Sequence, residues 1–233
     1  MIHNAPKGGV VAVTATTLTP FHNHTHATPS GTATGARFMA DRSMSYALAG
    51  AMGALYGSPA LFTKNYLRDM AALPWLCSMF ETDTPRLLPP MGRRLNIEHE
   101  GGYSAKIQSA TGTGNLKTWF FIQEVPPGQV FHGAVFGPDP FAMASSAAGK
   151  KIETIVVRTG RHLGGLVALR RSEDVERPVR LNAHTANLFG VDPNSDPDLG
   201  TDIFVLYDIQ ATRAMPLDAA LRQISRLRPD LAA

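Results

Sequence analysis

The alternation of apolar and polar side chains predicts a strand near the beginning of the chain. Residues 9–18 are rich in Val and Thr with near alternation, as in a half-buried β-strand. A main helix is predicted over 43–56, capped by Asp41 or Ser43, and a shorter helix over 62–73 ends before a proline. One face of the main helix carries apolar side chains at helical spacing: Met44, Leu48, Met52 and Leu55.

The second half of the chain predicts further strands and one last helix. Segments 103–110 and 116–125 bracket a glycine-containing turn and predict a hairpin, and 130–136 predicts the next strand. The apolar run 203–209 predicts a continuous strand in the centre of the core. Apolar residues at helical spacing after a proline predict a final helix over 217–227.

This order of strands and helices is that of an α+β domain. At 233 residues the chain can bury a core, and its 44% hydrophobic and 18% charged residues are typical of a globular protein. Its 21 glycines and 17 prolines indicate many turns rather than long helices. We therefore expect one domain over 1–233, with a basic loop or hairpin excursion around 85–125 that carries Arg93 and Arg94.

Charge is unevenly distributed along the chain. The net charge is only +3, but residues 150–180 contain eight basic and four acidic side chains. Residues 191–210 contain five aspartates and neither lysine nor arginine. The first segment favours an anionic ligand, and we expect the second to lie away from it, facing solvent or a basic partner.

Cysteine content and hydropathy exclude several classes of protein. Cys77 is the single cysteine, so neither an intrachain disulfide nor a cysteine-rich zinc site can form from this sequence. No apolar run approaches the ~18 residues of a membrane-spanning helix, and no secretory signal is visible at the N-terminus. We therefore expect a cytoplasmic protein that does not enter the membrane.

The stretch 152–171 predicts two strands joined by a basic, glycine-rich connection. Glycine in such a connection lets the backbone approach a ligand closely or adopt a positive φ, and arginine suits a polyanion. A solvated hairpin with no ligand is the simpler alternative. The candidate ligand-binding residues of this stretch are Arg158, Gly160, Arg161, His162, Gly164, Gly165, Arg170 and Arg171.

A second candidate is the polar loop over 20–35, in which His22, His24 and His26 occupy alternate positions. Three histidines at this spacing could ligate a metal ion, could stack on RNA bases, or could belong to a solvated loop. The remaining histidines do not follow the repeated strand-helix pattern of a metallohydrolase barrel, so we favour RNA contact.

Three stretches together resemble the CRISPR-associated family-five proteins of the RAMP superfamily, most of all the small version in type I-D Cascade complexes or a type IV relative. They are the first strand with its polar loop, the Tyr-Ala-Leu segment within 45–53, and the glycine segment 158–166. Arg161 and His162 stand where lysine is typical of that family.

The resemblance implies a ferredoxin-like, RRM-related domain with a projecting β-hairpin, or thumb, and additional antiparallel strands. It implies a non-catalytic subunit that caps the 5′ handle of the CRISPR RNA and contacts the backbone and large subunits of the effector complex. Target DNA would be met only indirectly, and no cofactor is expected. The glycine segment would offer backbone amides and arginines to the phosphates of the handle.

Two enzyme classes are the alternatives. Some members of the superfamily cut repeat RNA without metal, and His24, His26 and Tyr46 are the residues that could act as base and acid. A metal-dependent hydrolase would instead use His22 together with the other two loop histidines. We expect no catalytic residue and no metal, and therefore a structural RNA-binding subunit.

Overall fold

The computed structural model describes residues 9–23, 26–28, 31–53, 65–94, 119–160 and 164–231. Its strands are β1 (Gly9–Thr17), β2 (His26–Thr28), β3 (Gly31–Ala33), β4 (Phe38–Met39), β5 (Leu76–Cys77), β6 (Phe80–Glu81), β7 (Met91–Arg94), β8 (Trp119–Ile122), β9 (Val130–Gly137), β10 (Ile155–Thr159), β11 (Gly165–Arg171), β12 (Thr201–Leu206) and β13 (Ile209–Thr212). Its helices are α1 (Asp41–Ala51), α2 (Tyr66–Ala72), α3 (Pro140–Ala148), α4 (Ala183–Leu188) and α5 (Leu217–Leu227), with short 3₁₀ turns at Pro193–Ser195 and Pro229–Leu231.

The main sheet has seven strands and is antiparallel throughout its described pairs. Its order is β10-β11-β1-β9-β6-β4, and β5 also pairs with β9. β1 lies at the centre, with Val13 opposite Gly133 of β9 on one side and Arg171 of β11 on the other. Helix α1 lies between β1 and β5 along the chain, and α3 lies between β9 and the β10–β11 pair. This split β-α-β arrangement is ferredoxin-like and confirms the predicted α+β class.

Additional strands extend the ferredoxin-like unit on both sides. β10 forms a hairpin with β11 and makes one edge of the sheet, while β4 makes the other edge. β7 and β8 form a separate two-stranded sheet inserted between β6 and β9. The predicted excursion over 85–125 contains this pair, although the predicted strand 103–110 lies outside the described residues.

One face of the sheet packs against α1 and α3. Alternation along β10 buries Ile155 and Val157, which join Met44 and Leu48 of α1 in one apolar cluster. Phe141 of α3 belongs to the same cluster. Met44 and Leu48 of the predicted stripe are therefore core and Met52 packs against it, while Leu55 lies outside the described residues.

The opposite face is covered at the β9 end by the C-terminal part of the chain. Ile224 and Leu227 of α5 pack in a second cluster with Ala134 and Phe136 of β9. The final helix has the predicted bounds, because Pro216 precedes its first turn and its apolar stripe has a partner in the sheet. None of the helices in the described ranges is long and apolar enough to span a membrane.

The prediction of a continuous, buried strand over 203–209 is wrong. The chain turns at Tyr207 and Asp208, and β12 and β13 form a separate hairpin. Phe204 and Tyr207 are 66% and 76% exposed. The apolar run is divided because the main-chain carbonyl of Asp208 accepts hydrogen bonds from Arg42 and Asn182, which hold the turn against α1.

The prediction of the main helix also needs correction. The main helix ends at Ala51 rather than at residue 56, and its N-cap, Ala40, has no side-chain hydrogen bond. Asp41 instead accepts hydrogen bonds from Asn182 and Thr185 in the core. The sequence analysis predicts no element over 140–148, where the chain forms α3, because Asp139 caps its first turn and Gly149 ends it at a φ of 64°.

Candidate nucleic-acid interface

The β10–β11 hairpin, defined here as residues 155–160 and 164–171, is fixed to the loop that follows β1. Thr19 Oγ1 accepts a hydrogen bond from the Leu166 amide at 2.8 Å and donates to the Gly164 carbonyl at 3.2 Å. The Leu18 amide donates to the Leu166 carbonyl at 2.8 Å. These bonds hold the β11 side of the hairpin next to its turn. Residues 161–163, between β10 and β11, lie outside the described part of the chain.

Glycine is required at two positions of the hairpin. Gly160 has a φ of +82°, which L side chains rarely adopt. A Cβ atom at Gly165 would lie 2.5 Å from Cβ of Phe21, which is itself 3% exposed. The predicted glycines thus allow the hairpin to pack directly on Phe21, whereas Gly164 is exposed.

Arg158 and Arg170 lie on the same face of the sheet. Arg158 pairs in register with Leu166, and Ala168 and Arg170 follow on that side of β11. Arg158 is exposed and forms no ion pair in the described ranges. Arg170 is exposed, and its Nε donates to Oγ1 of Thr154 at 3.0 Å. Both guanidinium groups can therefore meet a phosphate from solvent.

Arg171 occupies the opposite face, where the helices pack. It forms an ion pair with Asp139, the N-cap of α3, and its guanidinium carbon lies 5.0 Å from the ring centroid of Phe141. These contacts engage Arg171 with the helix and leave it less available to a ligand than Arg170.

The predicted histidine loop is only partly described. His22 is buried, 8% exposed, and its Nδ1 lies 3.8 Å from Oε1 of Glu124. A Cβ atom at Gly160 would lie 3.2 Å from the His22 carbonyl, so this residue supports the hairpin. His26 lies in β2, and its side chain is not described, while His24 lies outside the described residues.

Four other predicted residues have no described side chain. Arg161 and His162 lie outside the described residues, and Arg93 and Arg94 belong to β7, but their side chains are not described. Within the described ranges, no group of three or more His, Cys, Asp or Glu side chains could hold a metal ion.

A cleft of ≈ 780 Å³ opens beside the hairpin, between α1, the edge strand β10 and the β12–β13 turn. Its lining includes Arg42, Tyr46, Tyr66, Arg158, Thr159 and Asp208. The guanidinium carbon of Arg42 lies 4.5 Å from the ring centroid of Tyr66. Because these residues come from four distant segments, sequence analysis did not bring them together; the one local signal was the helical spacing of Arg42 and Tyr46.

Tyr46 is half-buried: it packs against the second apolar cluster and also lines the cleft. Burial, and next the nearby Asp69 carboxylate, raise the pKa of the Tyr46 phenol to about 12. The hydroxyl group is therefore protonated at neutral pH and donates its hydrogen bond to the Asp69 carboxylate.

Comparisons with known proteins give structural similarity at low sequence identity. No family model and no curated protein sequence matches this chain. A chain of a Type IV-B CRISPR complex is similar with a TM-score of 0.36 and 12% identity, covering 71% of this chain and 91% of that one. A chain of the Type III-B Cmr-beta complex bound to cognate target RNA and AMPPnP is similar with a TM-score of 0.40 and 10% identity. The similarity covers 88% of this chain and 84% of that one.

Proposed function

We propose that this chain is a non-catalytic RNA-binding subunit of a CRISPR effector complex, and that the β10–β11 hairpin holds the 5′ handle of the CRISPR RNA. The family resemblance of the sequence motifs and the ferredoxin-like topology support this assignment. The observation that carries it is the exposed Arg158 on a glycine-containing hairpin that is hydrogen-bonded to Thr19 and packed on Phe21 beside its turn. Arg161 and His162 would add positive charge and hydrogen-bond donors at the tip.

The electrostatics of the hairpin suit single-stranded RNA. Basic side chains that track a phosphate backbone release counterions on binding, so affinity falls with salt. Arg158 and Arg170 share one face, so one strand of RNA could contact both. The backbone and large subunits of the complex would bind elsewhere on the chain.

RNA binding is the first test. The purified protein is used to select ligands from a random pool of single-stranded RNA, and the enriched RNA is resynthesised with a fluorescent label. Anisotropy titrations over a range of salt concentrations should give an affinity that falls with a log–log slope of about −0.7 per phosphate contact. A pool that shows no enrichment, or an affinity independent of salt, would contradict the proposal.

The absence of catalysis is tested on the same RNA. After incubation with the protein, with and without a chelator, the RNA should remain intact. A discrete product with a 2′,3′-cyclic end in the presence of chelator would replace the proposal with a metal-independent endoribonuclease. Cleavage that the chelator abolishes would favour the metal-dependent hydrolase.

A further inference from the structure

The cleft beside the hairpin has the size and composition of a ligand site. Its ≈ 780 Å³ lies within the range of pockets that enclose small organic ligands, about 300–1,000 Å³. Two tyrosine rings, Tyr46 and Tyr66, contribute to its walls, and Arg158 of the hairpin lies at its edge strand. Arg158 therefore belongs both to the cleft and to the proposed phosphate-binding surface, and the two adjoin at this residue.

Two buried polar atoms of the cleft lack partners. Arg42 has a side chain only 8% exposed, and its Nη2 donates to Oδ2 of Asp208 at 2.6 Å and to the Asp208 carbonyl at 3.0 Å. Its Nη1 is buried and has no hydrogen bond to any part of the chain that the structure describes. Oγ1 of Thr159, a residue 3% exposed, is also buried and has no hydrogen-bond partner among the described residues.

Such atoms point to a binding site whose ligand would pair with them. Buried polar atoms are almost always hydrogen-bonded in native proteins, and an unpaired guanidinium nitrogen is especially unfavourable. Of the three buried side-chain atoms without a partner in the described ranges, two belong to residues that line this one cleft. A ligand with polar atoms on a flat apolar body would satisfy them while contacting the tyrosine rings.

The charge of the cleft favours a base over a phosphate. Arg42 is already neutralised by Asp208, and the Asp208 carboxylate would repel a phosphate placed beside it. An unstacked nucleobase carries no net charge, stacks on aromatic rings and presents donors and acceptors along its edge. Its phosphate would remain outside with Arg158, which forms no ion pair among the described residues.

We propose that the cleft between α1 and β10 takes one unstacked base of the RNA whose backbone lies along the β10–β11 hairpin. This rests on the proposed function, because the RNA must be held by the hairpin for its base to enter the cleft. Tyr66 and Tyr46 supply the stacking surface, and Arg42 and Thr159 supply polar contacts to the base edge.

The test combines abasic RNA with variants of the cleft. In the RNA selected by the wild-type protein, one base at a time is removed while the backbone is kept. One position should lower wild-type affinity about tenfold, as expected for the loss of one stacked base. Tyr66→Ala should lower the affinity for intact RNA by a similar factor. Removing the base at the sensitive position should then not lower the affinity of this variant further. Tyr66→Phe, which keeps the ring, should behave as wild type.

A second variant guards against misfolding of the first. Ala51 is exposed and lines the cleft, so Ala51→Phe should fill part of it without disturbing the core and should reproduce the tenfold loss. Suppose that Arg158→Gln weakens RNA binding, but that neither an abasic position nor a cleft variant changes the affinity. That result would overturn the cleft assignment and leave the proposed function intact. If the wild-type protein binds no RNA, both are overturned.

Discussion

Arg42 at the start of α1 and Asp208 in the β12–β13 turn form an ion pair of 2.6 Å that joins the first helix to the aspartate-rich segment. The expectation that this segment lies away from the basic residues is therefore wrong. Asp202 pairs with Arg180, and Asp196 pairs with Arg226. The aspartates neutralise arginines from other elements, because the C-terminal part of the chain folds back onto the sheet.

Asp208→Asn should strengthen RNA binding and weaken the fold. It removes a negative charge from the cleft but keeps an oxygen that can accept from Arg42, so affinity should rise about two- to threefold, the Coulomb effect of a unit charge several ångströms away in water. The weaker hydrogen bond should cost about 1–3 kcal/mol of unfolding free energy. Anisotropy and urea unfolding measure the two effects.

The matched control is Asp202→Asn, which makes the same charge change at an aspartate paired with Arg180 and absent from the cleft lining. Its effect on RNA affinity should be smaller because salt screens charges beyond about 10 Å. Equal gains from both variants would show that Asp208 acts only through net charge and would place the RNA away from the cleft.

Arg170→Gln and Arg171→Gln should separate the two faces of β11. Arg170 shares its face with Arg158, so its loss should weaken RNA binding and reduce the salt dependence. Arg171 contacts Asp139 and Phe141, so its loss should leave RNA affinity unchanged and lower stability by about 1 kcal/mol or less, because the pair is half-exposed. A larger affinity loss for Arg171→Gln would show that RNA approaches the helical face instead.

Gly165→Ala should destabilise the hairpin. Its Cβ atom would overlap Phe21, which is buried and cannot move without opening a cavity, so we expect a loss of about 1–3 kcal/mol in unfolding free energy. Gly9→Ala is the control, since nothing lies within 4 Å of a Cβ atom there. Similar thermal unfolding for wild type and both variants would mean that the hairpin does not pack on Phe21 in solution.

Cys77 should be unreactive in the folded protein. Burial raises the pKa of its thiol from 9.0 to about 12, so almost no thiolate forms at neutral pH. Because the thiol pKa is higher in the folded than in the unfolded protein, its contribution to the unfolding free energy is fully present below pH 9. That contribution is lost as the pH rises toward 12. A thiol reagent at neutral pH should label the single cysteine only after guanidinium unfolding; rapid labelling of folded protein would contradict its position in β5.

The elements that sequence analysis predicted are those whose signal is local. The first strand buries alternate residues over its second half, and the final helix has both a proline at its start and an apolar stripe. The 155–171 hairpin follows from two β-branched or apolar runs around glycines. In each case burial on one face explains the pattern without knowledge of the rest of the chain.

The cleft could not be predicted because its residues are distant in sequence. Arg42, Tyr66 and Asp208 come together only when α1 packs on the sheet and the β12–β13 turn folds back onto it. The β12–β13 hairpin also explains why the prediction of a buried strand over 203–209 is wrong. Its first strand exposes Phe204 to solvent, yet its residues are as apolar as those of a buried strand. Hydrophobic content alone does not distinguish them.

The salt dependence of RNA binding by Arg158→Gln tests the central claim most directly. Arg158 is the described arginine on which the proposed phosphate contact depends, and glutamine keeps a side chain of similar polarity without the charge. The log–log slope for the selected RNA should become shallower by about 0.7, the value for one lost contact to a single strand. Arg222→Gln, an exposed arginine of α5 paired with Asp218, should leave the slope unchanged. If both variants keep the wild-type slope and affinity, the β10–β11 hairpin does not hold the RNA.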